Sequence, residues 1–164
     1  MIDYISIPEE RKKLLKADPR MLKKFEEYSG VKLELNETIE IDSEDPLKIL
    51  TAKEVLKAFG RGFDMDDAFL LLDEQYLLEI IEIQDFAGKS KNRLQDLKGR
   101  VIGSKGRSKD LIEKYAEVKL SIYGKTISII GKWDRVMISK KAVEMLLNGR
   151  LHGSVYRFLE EHRG

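Results

Sequence analysis

The chain contains an internal repeat, and this repeat limits the folds open to it more than any other feature of the sequence. Residues 14–35 align with residues 101–122 at a constant offset of 87 residues, with six identical positions. The identical pairs are Arg20/Arg107, Glu26/Glu113, Tyr28/Tyr115, Val31/Val118, Lys32/Lys119 and Leu33/Leu120. The likeness continues from TIEI (38–41) to TISI (126–129). We therefore expect two copies of one unit of about 75 residues.

Each copy shows the periodicity of a strand, two helices, two strands and a final helix. In the second copy the predicted elements are a strand at 77–83, a helix ending at Gly103, a helix starting near Arg107, strands at 118–122 and 126–129, and a helix from Asp134 to Gly149. In the first copy they are a strand at 3–7, helices at 8–16 and 19–28, strands at 31–35 and 38–42, and a helix at 51–59. A helix over DMDDAFLLLDEQ (64–75) joins the copies.

The segment VIGSKGRSK (101–109) places two glycines and three basic residues between two predicted helices. Residues 88–110 hold eight basic and two acidic side chains, so the glycines lie within a basic run. The net charge of +1 conceals a division between the halves, because residues 1–82 carry −8 and residues 83–164 carry +9. Such a division indicates nucleic-acid binding by the basic half.

This order of elements, with Gly-x-x-Gly between the first two helices, resembles the type I KH domain. A KH domain clamps about four single-stranded nucleotides with this loop against the backbone. Glycines without Cβ atoms let a phosphodiester approach, and the N-terminus of the next helix attracts the phosphate. The resemblance implies an apolar floor for the bases at Val101, Ile102 and the strand 118–122. Lys109 stands where KH domains commonly have an apolar residue.

The predicted RNA contacts come from the loop, the strand beside it and the tail NGRLHGSVYRFLEEHRG (148–164). In the tail, Val155, Tyr156 and Leu159 fall on one face of a short predicted helix, with basic residues around it. The predicted contact residues are Arg100, Val101, Ile102, Gly103, Ser104, Lys105, Gly106, Arg107, Ser108, Lys109, Lys119, Leu120, Ser121, Ile122, Arg150 and Arg157.

The first copy lacks the glycine loop. Lys16-Ala17-Asp18-Pro19 aligns with Gly103-Ser104-Lys105-Gly106, so an aspartate replaces a lysine and a proline removes a backbone donor. With its acidic balance, this unit is not expected to grip a phosphate backbone. It serves either as structural support or as a docking site for a protein.

Two consecutive KH units, the first degenerate and the second intact, resemble the archaeal counterpart of the eukaryotic partner-of-Nob family of ribosome assembly factors. The most specific segments are LEIIEI, GRVIGSKGRSKDLIE, YGKTISIIG and AVEMLLNGRLHGSVYRFLE. The resemblance implies an α+β fold of two tandem type I KH domains, each with a three-stranded antiparallel sheet and helices on one face. The expected domains are 1–76, without Gly-x-x-Gly, and 77–164. It further implies binding of single-stranded RNA near the 3′ end of 16S rRNA, with the Nob endonuclease and the alpha subunit of translation initiation factor two as partners.

Other classes of function have weaker support in the sequence. The chain has no cysteine, its acidic clusters lack the spacing of a calcium loop, and His152 and His162 have no second ligand pair nearby. We therefore expect no enzyme activity, cofactor or metal, and no membrane association, in a cytoplasmic protein. A general KH adaptor for mRNA translation or exosome-type decay, and a protein-docking scaffold, remain the alternatives.

Overall fold

The computed structural model describes residues 1–164, and the chain divides into two units, Met1–Glu74 and Gln75–Gly164. In each unit the third strand in sequence lies at the centre of a three-stranded antiparallel sheet. The elements of the first unit are β1 (Ile2–Ile5), α1 (Glu9–Lys16), α2 (Pro19–Ser29), β2 (Lys32–Leu35), β3 (Ile39–Asp42), α3 (Pro46–Gly60), α4 (Met65–Ala68) and a 3-10 turn (Phe69–Leu72).

One face of the first sheet carries the core of its unit. Ile39 and Ile41 of the central strand are fully buried, and Asp3 of β1 lies opposite Ile41 on the same face. The Nζ atom of Lys53 in α3 lies 3.0 Å from a carboxylate oxygen of Asp3. Hydrogen bonds from the Tyr4 backbone and from Lys53 lower the pKa of Asp3. Ile2 and Tyr4, which alternate with these residues, are 51% and 54% exposed, so this part of the other face is open.

The second unit repeats the order and adds two helices. Its elements are β4 (Tyr76–Glu82), α5 (Gln84–Ala87), α6 (Lys91–Ile102), a 3-10 turn (Ser104–Gly106), α7 (Arg107–Ala116), β5 (Lys119–Tyr123), β6 (Thr126–Lys132), α8 (Trp133–Leu147) and α9 (His152–Glu161). The strand order is β4-β6-β5, which matches β1-β3-β2 of the first unit.

The C-terminal helix α9 belongs to the hydrophobic core of the second unit. Its residues Val155 and Leu159 are fully buried, in one cluster with Ile127 and Ile129 of β6 and Leu146 of α8. The helix therefore packs against the sheet-and-helix core and is fixed in place by apolar burial.

The predicted order of strands and helices agrees with the structure, with differences at element ends. Helix α3 starts at Pro46 and not at residue 51, because the Asp45 carboxylate accepts a hydrogen bond from the Leu47 N–H at 3.0 Å and proline suits the first turn. The joining segment is one short helix and a 3-10 turn, not a continuous helix over 64–75. Helix α8 starts at Trp133, with Asp134 in its first turn and not at its cap.

The repeat extends to individual hydrogen bonds. Glu26 accepts a hydrogen bond from the Leu33 N–H at 2.8 Å, and Glu113 accepts one from the Leu120 N–H at 3.0 Å. Both pairs are identical residues at the offset of 87. In each unit the carboxylate joins the second long helix to an edge strand of the sheet. The identity of these residues is therefore explained by the fold.

Replacing Glu113 with alanine should reduce the free energy of unfolding of the second unit by about 1–2 kcal/mol, since the Leu120 N–H then loses its partner. Glu113→Gln is the matched control, because it removes the charge but keeps a carbonyl acceptor, and we expect it to lose less than half as much. Urea unfolding followed by circular dichroism measures both. Equal losses for alanine and glutamine would contradict the role of this hydrogen bond.

A second long-range contact also recurs. Arg11 donates to the carbonyl oxygens of Phe59 and Phe63 at 2.9 and 2.7 Å, and burial lowers its pKa. Arg100 donates to the carbonyl oxygens of Leu146, at 3.0 Å, and Arg150. The four acceptors correspond at the offset of 87. In each unit an arginine of the first long helix thus secures the end of the third.

Candidate nucleic-acid interface

The candidate site starts where α6 ends. Ser90 caps the helix by accepting a hydrogen bond from the Arg93 N–H at 3.1 Å, and Leu94, Leu97 and Val101 hold one face in the core. The helix stops at Gly103, whose N–H donates to the Gly99 carbonyl oxygen at 2.8 Å. The φ of +77° and ψ of 170° at Gly103 lie in a region that essentially only glycine adopts.

The loop Gly103–Gly106 has three residues with positive φ. Lys105 has φ of 55° and ψ of 29°, and Gly106 has φ of 76° and ψ of 12°. Lys105 and Glu117 are the two non-glycine residues of the chain with positive φ. A left-handed conformation costs a lysine roughly 1–2 kcal/mol, and such strain concentrates at functional sites. The loop is closed by a hydrogen bond from the Gly106 N–H to the Gly103 carbonyl oxygen at 3.1 Å.

The two glycines have different steric surroundings. A Cβ atom on Gly103 would lie 2.7 Å from the backbone nitrogen of Ser108, so this glycine is packed against the next helix. A Cβ atom on Gly106 would meet nothing within 4 Å, so this glycine faces open space. Gly103 therefore allows the loop to fold, and Gly106 leaves room for a ligand's approach.

The start of α7 combines a helix N-terminus that has no side-chain cap with positive charge. No side chain caps the N-terminus of α7, which begins at Arg107. Lys105 and Arg107 are exposed and form no ion pair. The Nζ atom of Lys109 lies 3.2 Å from a carboxylate oxygen of Glu113, and this ion pair partly neutralises the positive charge of Lys109. A helix N-terminus without a side-chain cap, with its positive dipole end beside two exposed cations, is an anion site of the kind that binds phosphate.

The predicted apolar floor is mostly below the surface. Val101 is fully buried, and Leu120 and Ser121 are 5% and 8% exposed, so these residues support the site from beneath. Ile102 is 37% exposed and Ile122 is partly buried, so both reach the surface near the end of α6 and on β5. Lys119 of β5 is exposed, as are Ser104 and Lys105 of the loop.

Arg150 and Arg157 lie around a separate shallow depression. Together with Lys141, Met145, Ser154, Phe158 and Glu161 they line a volume of about 350 Å³ between α8 and α9. Tyr156, on another side of α9, contacts α7. Arg157 thus lies on a different side of α9 from Tyr156, while the Arg150 carbonyl oxygen accepts a hydrogen bond from Arg100 of α6. The contact of these two arginines with RNA stays a prediction.

Sequence reasoning did not identify the contacts that connect α9 to the loop region. The hydroxyl groups of Tyr156 and Ser108 are 2.8 Å apart, and Nε2 of His152 lies 3.0 Å from the Arg100 carbonyl oxygen. The guanidinium carbon of Arg107 lies 5.9 Å from the centre of the Tyr156 ring. Two donor nitrogens of Arg100 are bound to backbone carbonyl oxygens, so this residue has a structural role. Its contact with RNA stays a prediction.

The first unit replaces this loop with a tighter turn. Lys16 still belongs to α1 and Pro19 already belongs to α2, so only Ala17 and Asp18 connect the helices. Both have negative φ, and the Asp18 carboxylate caps α2 by accepting from the Met21 N–H at 3.1 Å. An aspartate thus occupies the helix N-terminus that is uncapped in the second unit, and this turn is two residues shorter than the aligned tetrapeptides suggest.

The structure has no group of three or more His, Cys, Asp and Glu side chains positioned to hold a metal ion. None of its helices has the length and apolar character needed to span a membrane.

Comparison with known proteins identifies the family. Residues 77–164 match the model of the PNO1-type KH domain, described as a eukaryotic type KH domain of type I. The KH domain-containing protein MJ0443 of Methanocaldococcus jannaschii is 40% identical over 169 residues, which cover 99% of this chain and 74% of that protein. The chain belongs to the PNO1 and Dim2 family of KH-domain proteins. The second unit therefore has the type I KH fold, as the sequence predicted.

Other members of the PNO1 and Dim2 family extend the comparison. The pre-rRNA-processing protein PNO1 of Saccharomyces cerevisiae is 31% identical over 114 residues, 68% of this chain and 41% of that protein. The chain spans less than two thirds of the length of the PNO1 proteins that it matches.

Solved structures of archaeal Dim2p also match. Dim2p of Pyrococcus horikoshii OT3 is 37% identical with a TM-score of 0.88, over 98% of this chain and 99% of that one. Dim2p in an a/eIF2alpha-aDim2p-rRNA complex from the same organism is 37% identical with a TM-score of 0.88, over 98% and 93% of the two chains.

Proposed function

We propose that this protein binds single-stranded RNA through the loop Gly103–Gly106 and acts in the assembly of the small ribosomal subunit. The observation that carries the proposal is the anion site at the start of α7, where an open glycine, an uncapped helix and two unpaired cations coincide. Membership of a family whose named members process pre-rRNA, and which includes a Dim2p solved with rRNA, supports the role in ribosome assembly.

The RNA is expected to lie along the loop, α7 and the edge strand β5. Phosphates contact the loop backbone, Lys105 and Arg107, while bases lie over Ile102 and Ile122, with Lys119 beside them. The buried residues Val101, Ser108, Leu120 and Ser121 act by holding these groups in place. We take the 3′ region of 16S rRNA as the target, on the strength of the family resemblance.

The first unit is proposed to be a degenerate KH domain without a phosphate site, so that the chain consists of KH domains at 1–76 and 77–164. Its order of elements, its strand order and its Glu26–Leu33 hydrogen bond support this assignment. Asp18 at the start of α2 opposes phosphate binding there. The alpha subunit of translation initiation factor two is a proposed partner, since a Dim2p relative was solved with it, and the Nob endonuclease is proposed from the resemblance alone.

Titration with short single-stranded RNAs, including the 3′ end of 16S rRNA, tests the function directly. Lys105→Ala should weaken binding to RNAs of every sequence. It should also reduce the magnitude of the negative slope of log K against log salt by about 0.7, which corresponds to one lost phosphate contact. Lys16→Ala is the matched control, because Lys16 is an exposed lysine at the end of the equivalent helix in the first unit. Binding of all RNAs with equal affinity would favour a general KH adaptor, and no binding would favour a docking scaffold.

A further inference from the structure

The residue that supports the loop from below is Ser108, the second residue of α7. Its side chain is fully buried, and its hydroxyl lies 2.8 Å from the hydroxyl of Tyr156 in α9. A buried hydroxyl is held in one rotamer when it has a single good partner, because leaving that partner would leave it unpaired. Tyr156 therefore fixes the orientation of Ser108.

Ser108 in turn is in direct contact with the first glycine of the loop. An ideal Cβ on Gly103 would lie 2.7 Å from the Ser108 nitrogen and 2.8 Å from its Cβ, so the two backbones are packed without space between them. Gly103 has φ of +77° and ψ of 170°, and these angles set the direction in which the chain leaves α6 and enters the loop. A displacement of Ser108 would consequently change the packing against Gly103.

Tyr156 is held on a rigid element. Val155 and Leu159 on either side of it are fully buried, and His152 at the start of α9 lies 3.0 Å from the Arg100 carbonyl oxygen near the end of α6. Helix α9 is thereby fixed to the core and to the helix that precedes the loop. A side chain on such a helix can act as a fixed support for the loop.

We infer that the Tyr156 hydroxyl is a positioning group for RNA binding: through Ser108 it holds the loop Gly103–Gly106 in the conformation that accepts phosphate. This inference rests on the proposed function, since it concerns the same loop. Tyr156 itself is not expected to contact RNA. The tail helix thus contributes to affinity by limiting the motion of the loop before RNA arrives, which lowers the entropic cost of binding.

Three variants of the full chain test the inference. Tyr156→Phe removes the hydroxyl and keeps the ring beside Arg107, Ser108→Ala removes the other hydroxyl and keeps the Cβ beside Gly103, and the third combines both. We expect each to weaken single-stranded RNA binding about five- to tenfold, with the double variant no weaker than the singles because the groups act as one unit. Tyr28→Phe is the matched control, since Tyr28 is an exposed tyrosine on α2 of the first unit, which is proposed to lack a phosphate site.

The salt dependence distinguishes positioning from direct contact. The slope of log K against log salt should stay at its wild-type value in all three variants, because no phosphate contact is removed. Lys105→Ala, by contrast, should reduce the magnitude of this slope. Measurements are made at a temperature where circular dichroism shows each variant fully folded.

Wild-type affinity in the folded Tyr156→Phe and double variants would overturn the inference while Lys105→Ala still weakens binding. Losses that multiply in the double variant would also overturn it, because the hydroxyls would then act separately. If Lys105→Ala has no effect either, the proposed function itself is wrong.

Discussion

Replacing Gly106 with aspartate will weaken the binding of single-stranded RNA by about 100-fold or more, while the protein stays folded. A Cβ at this position meets no protein atom within 4 Å, so the new carboxylate projects into the space where the phosphate is expected. It brings a negative charge beside Lys105 and the first N–H groups of α7. The aspartate carboxylate repels the RNA phosphate and also occupies the anion site, and together these two effects account for the size of the loss.

Gly30→Asp is the matched control for Gly106→Asp. Gly30 has φ of 73° and ψ of 22°, close to the 76° and 12° of Gly106, so the conformational cost of a side chain is similar. A Cβ there meets only the side chain of Lys48, at 3.1 Å, which is flexible and positively charged. We expect Gly30→Asp to bind RNA with wild-type affinity. Fluorescence anisotropy with a labelled RNA measures both, and an unchanged Kd for Gly106→Asp would exclude the loop as the binding site.

Much of the fold followed from the sequence because the relevant signals are local. Apolar residues at strand and helix periods predicted the order of elements, and Gly103 predicted where helix α6 ends. The repeat adds independent support, because the same order of apolar periods is present in both copies. The identical pair Glu26/Glu113 was visible in the alignment, but its hydrogen bond to Leu33/Leu120 required the structure.

The contacts that complete the candidate site could not be predicted, because they join residues far apart in sequence. Tyr156 and Ser108 are separated by 48 positions, and Arg100 and the Leu146 carbonyl by 46. The position of a tyrosine, a serine or an arginine in the sequence does not indicate which distant residue it will hydrogen-bond. Charge alone likewise does not tell on which side of α9 a basic residue such as Arg157 lies, so that position also required the structure.

The turn of the first unit shows a different limit. An alignment at constant offset placed Lys16–Pro19 opposite the four loop residues, because Arg20 and Arg107 are identical. In the structure the turn has only two residues, Ala17 and Asp18, and both neighbours belong to helices. The constant offset on both sides of the turn fixes how many residues the chain has there, but it does not fix at which residue each helix ends. The turn of the first unit therefore differs from the loop of the second in the ends of its helices as well as in its chemistry.

Gly103→Ala should lower the free energy of unfolding of the second unit by about 3 kcal/mol, whereas Gly106→Ala should lower it by about 1 kcal/mol. Both glycines have positive φ, so both substitutions strain the backbone. Only Gly103 adds a steric conflict, with its Cβ 2.7 Å from a backbone nitrogen that cannot rotate away. Urea unfolding followed by circular dichroism measures both losses of stability.

The difference between the two alanine variants decides how the loop should be probed. If Gly103→Ala destabilises the unit as expected, loss of RNA binding in any Gly103 variant reflects a disturbed helix junction as well as a lost contact. Gly106 variants keep the junction, so their effect on RNA is a direct measure of the ligand's approach. Equal losses of stability at the two positions would show that α7 shifts to accommodate a Cβ on Gly103, and the support of the loop by Ser108 would then be weaker than the packing indicates.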